Sequence, residues 1–291
     1  MQYVVLAFAL FLFGCFDSGR HGGNNNLDGG NGNLDAFLNP PDLEKPTKPI
    51  VYDLLGIEGA GTVYVHTGQS LYTMDPSNYD MIKVGDFGVG TTAADDMTDL
   101  AVLPDGRIYT ISRTQLFEVN PKTGKATLLM DKVSTVDGSN VAMTTLPDGT
   151  LLASDQKGEV RVIDPIAKKV TVLGTYGNGY DTAGDLVSVS DGTMYGIAKM
   201  GPGTRTDANA LIKVNTTTAK ATLVGTIETA TGTGFTGVFG IAYQGGNVFA
   251  FTKNGEVIKI DPDTGKAELV RTHATLEFYG AGSNPLVSPI G

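Results

Sequence analysis

From about residue 61 onward, short runs of apolar positions alternate with polar ones, as in Val160-Arg161-Val162 or the Leu116 to Val119 run. These runs are rich in β-branched and aromatic residues and are broken by turn formers. That is the signature of short β-strands with one or both faces covered. The pattern also recurs. Asp99 to Leu129, Ala142 to Leu173, Asp185 to Val224 and Phe239 to Val270 are copies of one unit, and Gly61 to Val84 is a shorter copy. A turn marker falls at Asp75, Asn120, Asp164, Asn215 and Asp261, in steps of 45, 44, 51 and 46 residues. The long step holds the insertion Lys199 to Asn209.

Each copy reads as four strands. Pro-Asp-Gly or Gly-Gly joins the first two, supplying positions with positive φ. Asp-Pro-x-Thr-Gly-Lys or a variant joins the last two, with proline presetting one turn dihedral and glycine permitting the left-handed one. Four strands per ~45 residues, repeated radially, predict an all-β fold of the β-propeller type. The Gly-His and Trp-Asp marks of WD40 repeats are missing from every copy.

Five markers predict five blades, but the first copy lacks an inner strand. Phe278-Tyr279-Gly280-Ala281-Gly282 matches Val238-Phe239-Gly240-Ile241-Ala242 and is expected to complete blade 1, closing the ring and removing exposed sheet edges. The alternative places Asp53-Leu54-Leu55-Gly56 there and leaves the last segment to begin a sixth blade.

The residues before the repeats are of another kind. Tyr3 to Phe13 is an unbroken apolar run of eleven, too short to span a bilayer as a helix but suited to the apolar region of a secretory signal peptide. It ends in Leu12-Phe13-Gly14-Cys15, which resembles a bacterial lipobox, although Phe13 is bulky for its place and no basic residue precedes the run. The resemblance implies that Cys15, the single cysteine, is lipidated and anchors the chain. A plain signal peptide is the alternative. Asp17 stands second after the cysteine rather than directly after it, which points to the outer membrane. Residues 16–50 are rich in Gly, Asn and Pro and are expected to form a flexible tether, because they cannot bury enough apolar area to fold. The expected organisation is therefore a signal peptide over 1–14, a lipid-anchored linker over 15–50 and a propeller over 51–291.

Together these features resemble a group of uncharacterised bacterial propeller lipoproteins. The carrying residues are Tyr64 to Pro76, Ala183 to Val189, Gly237 to Thr252 and Phe278 to Pro285. The resemblance implies the fold and an envelope location, and no activity.

Charge and composition narrow the functional classes. The 291 residues carry 21 Lys and Arg against 31 Asp and Glu, a net charge of −10, which argues against a nucleic-acid partner. One cysteine excludes a disulfide framework, and three histidines leave little for metal or acid–base chemistry. Gly-x-Ser-x-Gly, His-Glu-x-x-His, phosphate-loop and dinucleotide motifs are absent, so neither catalytic residues nor a cofactor is expected.

In a four-stranded meander the loops entering the inner strand share one rim with the loops between the second and third strands. That rim gathers Asp86, Asp95, Asp96, Asp99, Asp131, Asp137, Asp181, Asp185 and Glu228, while Lys122, Lys125, Lys168, Lys169, Lys220 and Lys266 fall at the other. Such polarity steers a partner or is merely solvated. The candidate ligand-binding residues are Asp95, Asp96, Asp99, Asp181 and Asp185. Asp99 and Asp185 align at the start of the inner strand, where carboxylates either hold a calcium ion or cap strand ends. His66 and His273 are expected on the same rim, and Tyr176, Tyr180 and Phe235 are expected to pack loops onto the blades rather than to stack on a ligand. These features suit an envelope-anchored module binding a protein, peptide or glycan. The alternatives are an extracytoplasmic hydrolase or lyase and a structural spacer.

Overall fold

The computed structural model describes residues 61–75, 77–89, 97–133 and 139–286. Cys15, Asp95, Asp96, Asp137 and the segment 53–56 lie outside these residues. Twenty strands form five four-stranded antiparallel sheets, and the described residues contain no helix. Blade 1 is β20-β1-β2-β3, with β1 Val63–His66, β2 Ser70–Met74, β3 Met81–Asp86 and β20 Gly280–Gly282. Blade 2 runs from β4 (Asp99–Val102) to β7 (Ala126–Met130), and blade 3 from β8 (Asn140–Thr145) to β11 (Lys169–Thr175). Blade 4 runs from β12 (Asp181–Ser188) to β15 (Ala221–Thr226), and blade 5 from β16 (Val238–Gln244) to β19 (Ala267–Thr272). The fold is a five-bladed β-propeller closed by β20, whose Gly282, Ala281 and Gly280 pair with Tyr64, Val65 and His66 of β1.

Five apolar clusters hold the ring, one between each pair of neighbouring blades. Alternation along a strand sends successive side chains to opposite neighbours. Val63 and Val65 of β1 pack with Phe249 and Phe251 of blade 5, whereas Tyr64 between them packs with Leu100 and Ile108 of blade 2. Both faces of these strands are thus buried, and each large aliphatic removed from water contributes about 1.5–3 kcal/mol.

The turn markers earn their recurrence. In all five copies the Asp or Asn side-chain oxygen accepts the backbone N–H two residues on, as Asp75 does from Ser77 and Asn120 from Lys122. Every outermost strand also carries a bulge at one equivalent register, which increases its twist. That twist carries the end of the outer strand across to the third-to-fourth-strand turn of the next blade. Gly85, Gly174 and Gly225 sit at these crossings; a Cβ on Gly225 would lie 2.1 Å from the Thr264 carbonyl oxygen. At the closing junction Arg271 occupies the equivalent register, with an ion pair to Asp80 at 2.5 Å, while His273 Nε2 lies 2.9 Å from the Tyr79 carbonyl.

Candidate functional site

The inner strands of the five blades align as Thr98-Asp99-Leu100, Val141-Ala142-Met143, Gly184-Asp185-Leu186, Phe239-Gly240-Ile241 and Tyr279-Gly280-Ala281. The third residue of every triplet donates its backbone N–H to one of the two aspartates. Asp99 accepts from Leu100 at 2.7 Å and Met143 at 2.6 Å. Asp185 accepts from Leu186 at 2.5 Å, Ile241 at 3.0 Å and Ala281 at 3.2 Å. Five blades thus present five donors to the axis, and two carboxyl groups take them all.

Those side chains fit because the other three triplets have Ala142, Gly240 and Gly280 in the middle position. A Cβ on Gly280 would stand 2.3 Å from His66 Nε2 and 2.6 Å from Asp99 Oδ1. Asp99 and Asp185 are fully buried and hydrogen-bonded to each other. Desolvation raises both carboxyl groups; Asp185 is pushed up to about 7, and Asp99 is raised well above the usual carboxylate range, its ionisation further opposed by Asp185. The pair therefore retains a proton between its two carboxyl groups at neutral pH.

His66 is buried against this pair rather than exposed on the rim. Its Nδ1 lies 2.7 Å from the Thr67 carbonyl, its Nε2 has no hydrogen-bond partner, and burial pushes it down to about 4, so the ring is neutral. It fills a place that Ile111 and Phe251 fill in other blades. His273 is at the closing junction, so the two histidines do not form a common site.

The rim charges differ from the sequence expectation. Asp181 pairs with Lys157 at 2.9 Å, Asp86 with Lys83 at 2.7 Å, and Asp131 accepts from Gln115 at 2.7 Å. Glu228 binds Arg205 at 2.6 Å and also Lys266 at 2.5 Å, which hold it below the usual carboxylate range, the Lys266 hydrogen bond most of all. Sequence order places Lys266 at the opposite rim. The outer-strand twist erases that division by delivering the exit of blade 4 onto the turn of blade 5. Of the expected ligand set, Asp99 and Asp185 come together, Asp181 stands apart in its ion pair, and Asp95 and Asp96 are not described. The described residues hold no group of three His, Cys, Asp or Glu arranged for a metal.

Above the carboxyl pair lies a funnel of about 470 Å³, within the range of small-molecule sites. Its inner ring is the first residue of each triplet: Thr98, Val141, Gly184, Phe239 and Tyr279. Arg113, Gln156, Lys199 and Asn209 stand on the surrounding loops and strand ends. The Phe239 and Tyr279 rings are tilted at 40° with centroids 6.1 Å apart. Gly184 makes room for one of them, since a Cβ there would lie 2.7 Å from Phe239 Cα. Neither Phe239 nor Tyr279 stood out in the sequence. Reading one residue upstream of the aligned Asp99 and Asp185 would have found both. Tyr176, Tyr180 and Phe235 are buried and pack loops onto blades as expected. A larger groove of about 560 Å³ on blade 2 has a counterpart of about 410 Å³ in the same place on blade 4, so it follows from blade shape.

No family model and no curated protein matches the sequence. Solved structures do. A chain of a nidogen/laminin complex superposes with a TM-score of 0.51 at 13% identity, over 76% of this chain and 97% of that one. Virginiamycin B lyase from Staphylococcus aureus gives a TM-score of 0.42 at 14% identity, over 72% of this chain and 66% of the lyase. A protein of unknown function from Bacteroides thetaiotaomicron gives 0.45 at 16% identity, over 71% of this chain and 55% of the other. The first of these likenesses agrees with the sheet topology: the chain has the β-propeller fold.

Proposed function

We propose that this chain is a lipid-anchored binding module of the bacterial cell envelope, held at Cys15 on the outer membrane, whose funnel receives a protein, peptide or glycan ligand. The funnel carries the reading. Five equivalent backbone positions surround it, yet each blade brings a different side chain, and the polar groups of four loops and strand ends converge on the same space. Scaffolded variation of this kind is how repeat folds hold ligands. The lipobox-like Leu12 to Cys15 and the Gly/Asn/Pro-rich tether support the anchor.

The hydrolase or lyase alternative draws less support. The available His and carboxyl groups are His66, Asp99 and Asp185; all three are buried beneath the funnel floor, and both aspartates are committed to backbone donors. A spacer needs no concave polar site. Two measurements test the proposal. Palmitate labelling should mark the wild-type chain and not Cys15→Ser; equal labelling removes the anchor. Glycan and peptide arrays probed with the full chain in detergent should give signals that Phe239→Ala abolishes. Retention of no array member, or retention indifferent to Phe239→Ala, ends the funnel reading.

A further inference from the structure

The funnel is charged against the grain of the molecule. The chain bears a net charge of −10, but among the described residues the charged ones lining the funnel are Arg113 and Lys199. Both are exposed, and neither forms an ion pair among the described residues. Among the described residues, Asp181 is occupied by Lys157 and Glu228 by Arg205 and Lys266. The Arg113 guanidinium makes one long contact, Nη1 to Ser139 Oγ at 3.5 Å, and keeps its other donors. Cations unpaired with carboxylates inside a concave site, on an acidic protein, are placed for an anion.

Arg113 is also held in position. The buried Arg161 donates to Asn140 Oδ1 at 2.9 Å, and Asn140 donates from its backbone N–H and its Nδ2 to the Arg113 carbonyl at 3.1 and 3.0 Å. Arg161 is itself fixed by Asp155 at 2.9 Å and Glu159 at 2.8 Å. A buried polar strut therefore sets the backbone from which the guanidinium reaches out, and less entropy is lost when it binds.

The remaining lining favours a sugar over a peptide. Phe239 and Tyr279 are half-buried aromatic rings, suited to the apolar C–H face of a pyranose. Asn209 spends its Oδ1 on the Val238 N–H at 3.0 Å, while its Nδ2 makes no hydrogen bond among the described residues and stays available to a hydroxyl. An extended peptide would need a row of free backbone groups. Here the N–H groups at the base of the funnel are already taken by Asp99 and Asp185.

We infer that the funnel binds an anionic saccharide, with Arg113 and Lys199 on its acidic group and Phe239 and Tyr279 against its ring faces. This rests on the funnel being the ligand site. The Arg113 guanidinium suits a carboxylate or a sulfate in a two-pronged hydrogen bond, and Lys199 adds a point charge.

Calorimetric titration of the full chain would use four probes: an oligouronate, a sulfated oligosaccharide, the neutral oligosaccharide of matching linkage, and a glutamate-rich peptide. The inference expects an acidic saccharide to bind, the neutral one to bind at least tenfold more weakly, and the peptide not to compete. Which acid is preferred identifies the anion. Arg113→Gln and Lys199→Gln should each weaken acid binding roughly tenfold, the loss expected for a charge-assisted hydrogen bond, and weaken neutral binding less. Equal binding of neutral and acidic sugars, both lost in Phe239→Ala, overturns the anionic inference and keeps the funnel. Stronger binding of the peptide, lost in the same variant, overturns the saccharide. Binding that survives Phe239→Ala, or no binding of any probe, defeats the inference, and a signal from another class on the arrays would show that the funnel reading survives it.

Discussion

The layer of Asp99 and Asp185 and the layer of Phe239 and Tyr279 are one residue apart along the same strands, yet they obey different rules. In the lower layer the backbone acts: each blade supplies the same N–H, and two side chains suffice for five donors. Three of the five places there must stay small. In the upper layer the backbone only carries, and Thr98, Val141, Gly184, Phe239 and Tyr279 share no chemistry. The lower layer closes the ring, and the upper one is free to specify a ligand. Substitutions below should therefore cost stability, and substitutions above should cost binding alone.

Two changes on the axis are expected to cost most, and one is Gly280→Val. Its Cβ would be forced within 2.3 Å of His66 Nε2 and 2.6 Å of Asp99 Oδ1, against backbone that is tied into β1. Overpacking of this kind costs about 1–3 kcal/mol and occasionally more. Denaturant unfolding should show a midpoint well below wild type; an unchanged midpoint would mean that the axis is not tightly packed. The other is Asp185→Ala, which should cost as much or more. It strands the N–H groups of Leu186, Ile241 and Ala281, and each buried orphan costs about 1–3 kcal/mol before relaxation. Protease resistance of β20 should fall in step with global stability, because Ala281 belongs to the closing strand.

The axis also makes stability depend on pH, with two opposing signs. Asp185, raised from 3.8 to about 7, favours the protonated folded state; its contribution is complete below about pH 4 and is lost as pH climbs through 7. His66, lowered from 6.5 to about 4, is neutral when folded; its contribution is complete above about pH 6.5 and is lost as pH falls through 4. Asp99, also raised, adds a slope of the same sign as Asp185. Between about pH 4 and 6.5 the histidine slope therefore offsets only part of the carboxyl slope. Wild-type stability should fall gently there and more steeply above pH 6.5. His66→Phe should fall steeply from pH 4, and Asp185→Asn should weaken the decline without removing it. Parallel profiles for all three proteins would refute the assignment. The smallest stability change is expected for Lys199→Gln, whose unfolding free energy should stay within about 0.5 kcal/mol of wild type while ligand binding drops.

Much of the framework could be read from the sequence because local chemistry repeats with it. Asp75, Asn120, Asp164, Asn215 and Asp261 each satisfy a turn with their own side chain, so the marker survives in every copy and gives the period directly. The match of Phe278 to Gly282 with Val238 to Ala242 gave the closure for the same reason. Asp99 and Asp185 were legible as aligned carboxylates, but their burial was not, since it follows from Ala142, Gly240 and Gly280 in three other blades. Charge by rim misled at Lys266 and Glu228, because sequence order places them on opposite sides and outer-strand twist joins them at 2.5 Å. Phe239 and Tyr279 looked like ordinary strand residues. What makes them a site is radial position, and that becomes visible only when the ring is closed.

The partnership of β1 with β20 has a consequence for how the molecule is made. Tyr64 has to wait for Gly282 before its hydrogen bonds on that side are filled. During synthesis, blade 1 emerges early but keeps a raw edge until β20 has arrived. A chain interrupted before residue 280 would leave Asp185 short of one donor and the inner edge of β1 unpaired. Pairing of β20 is thus the step that seals the ring.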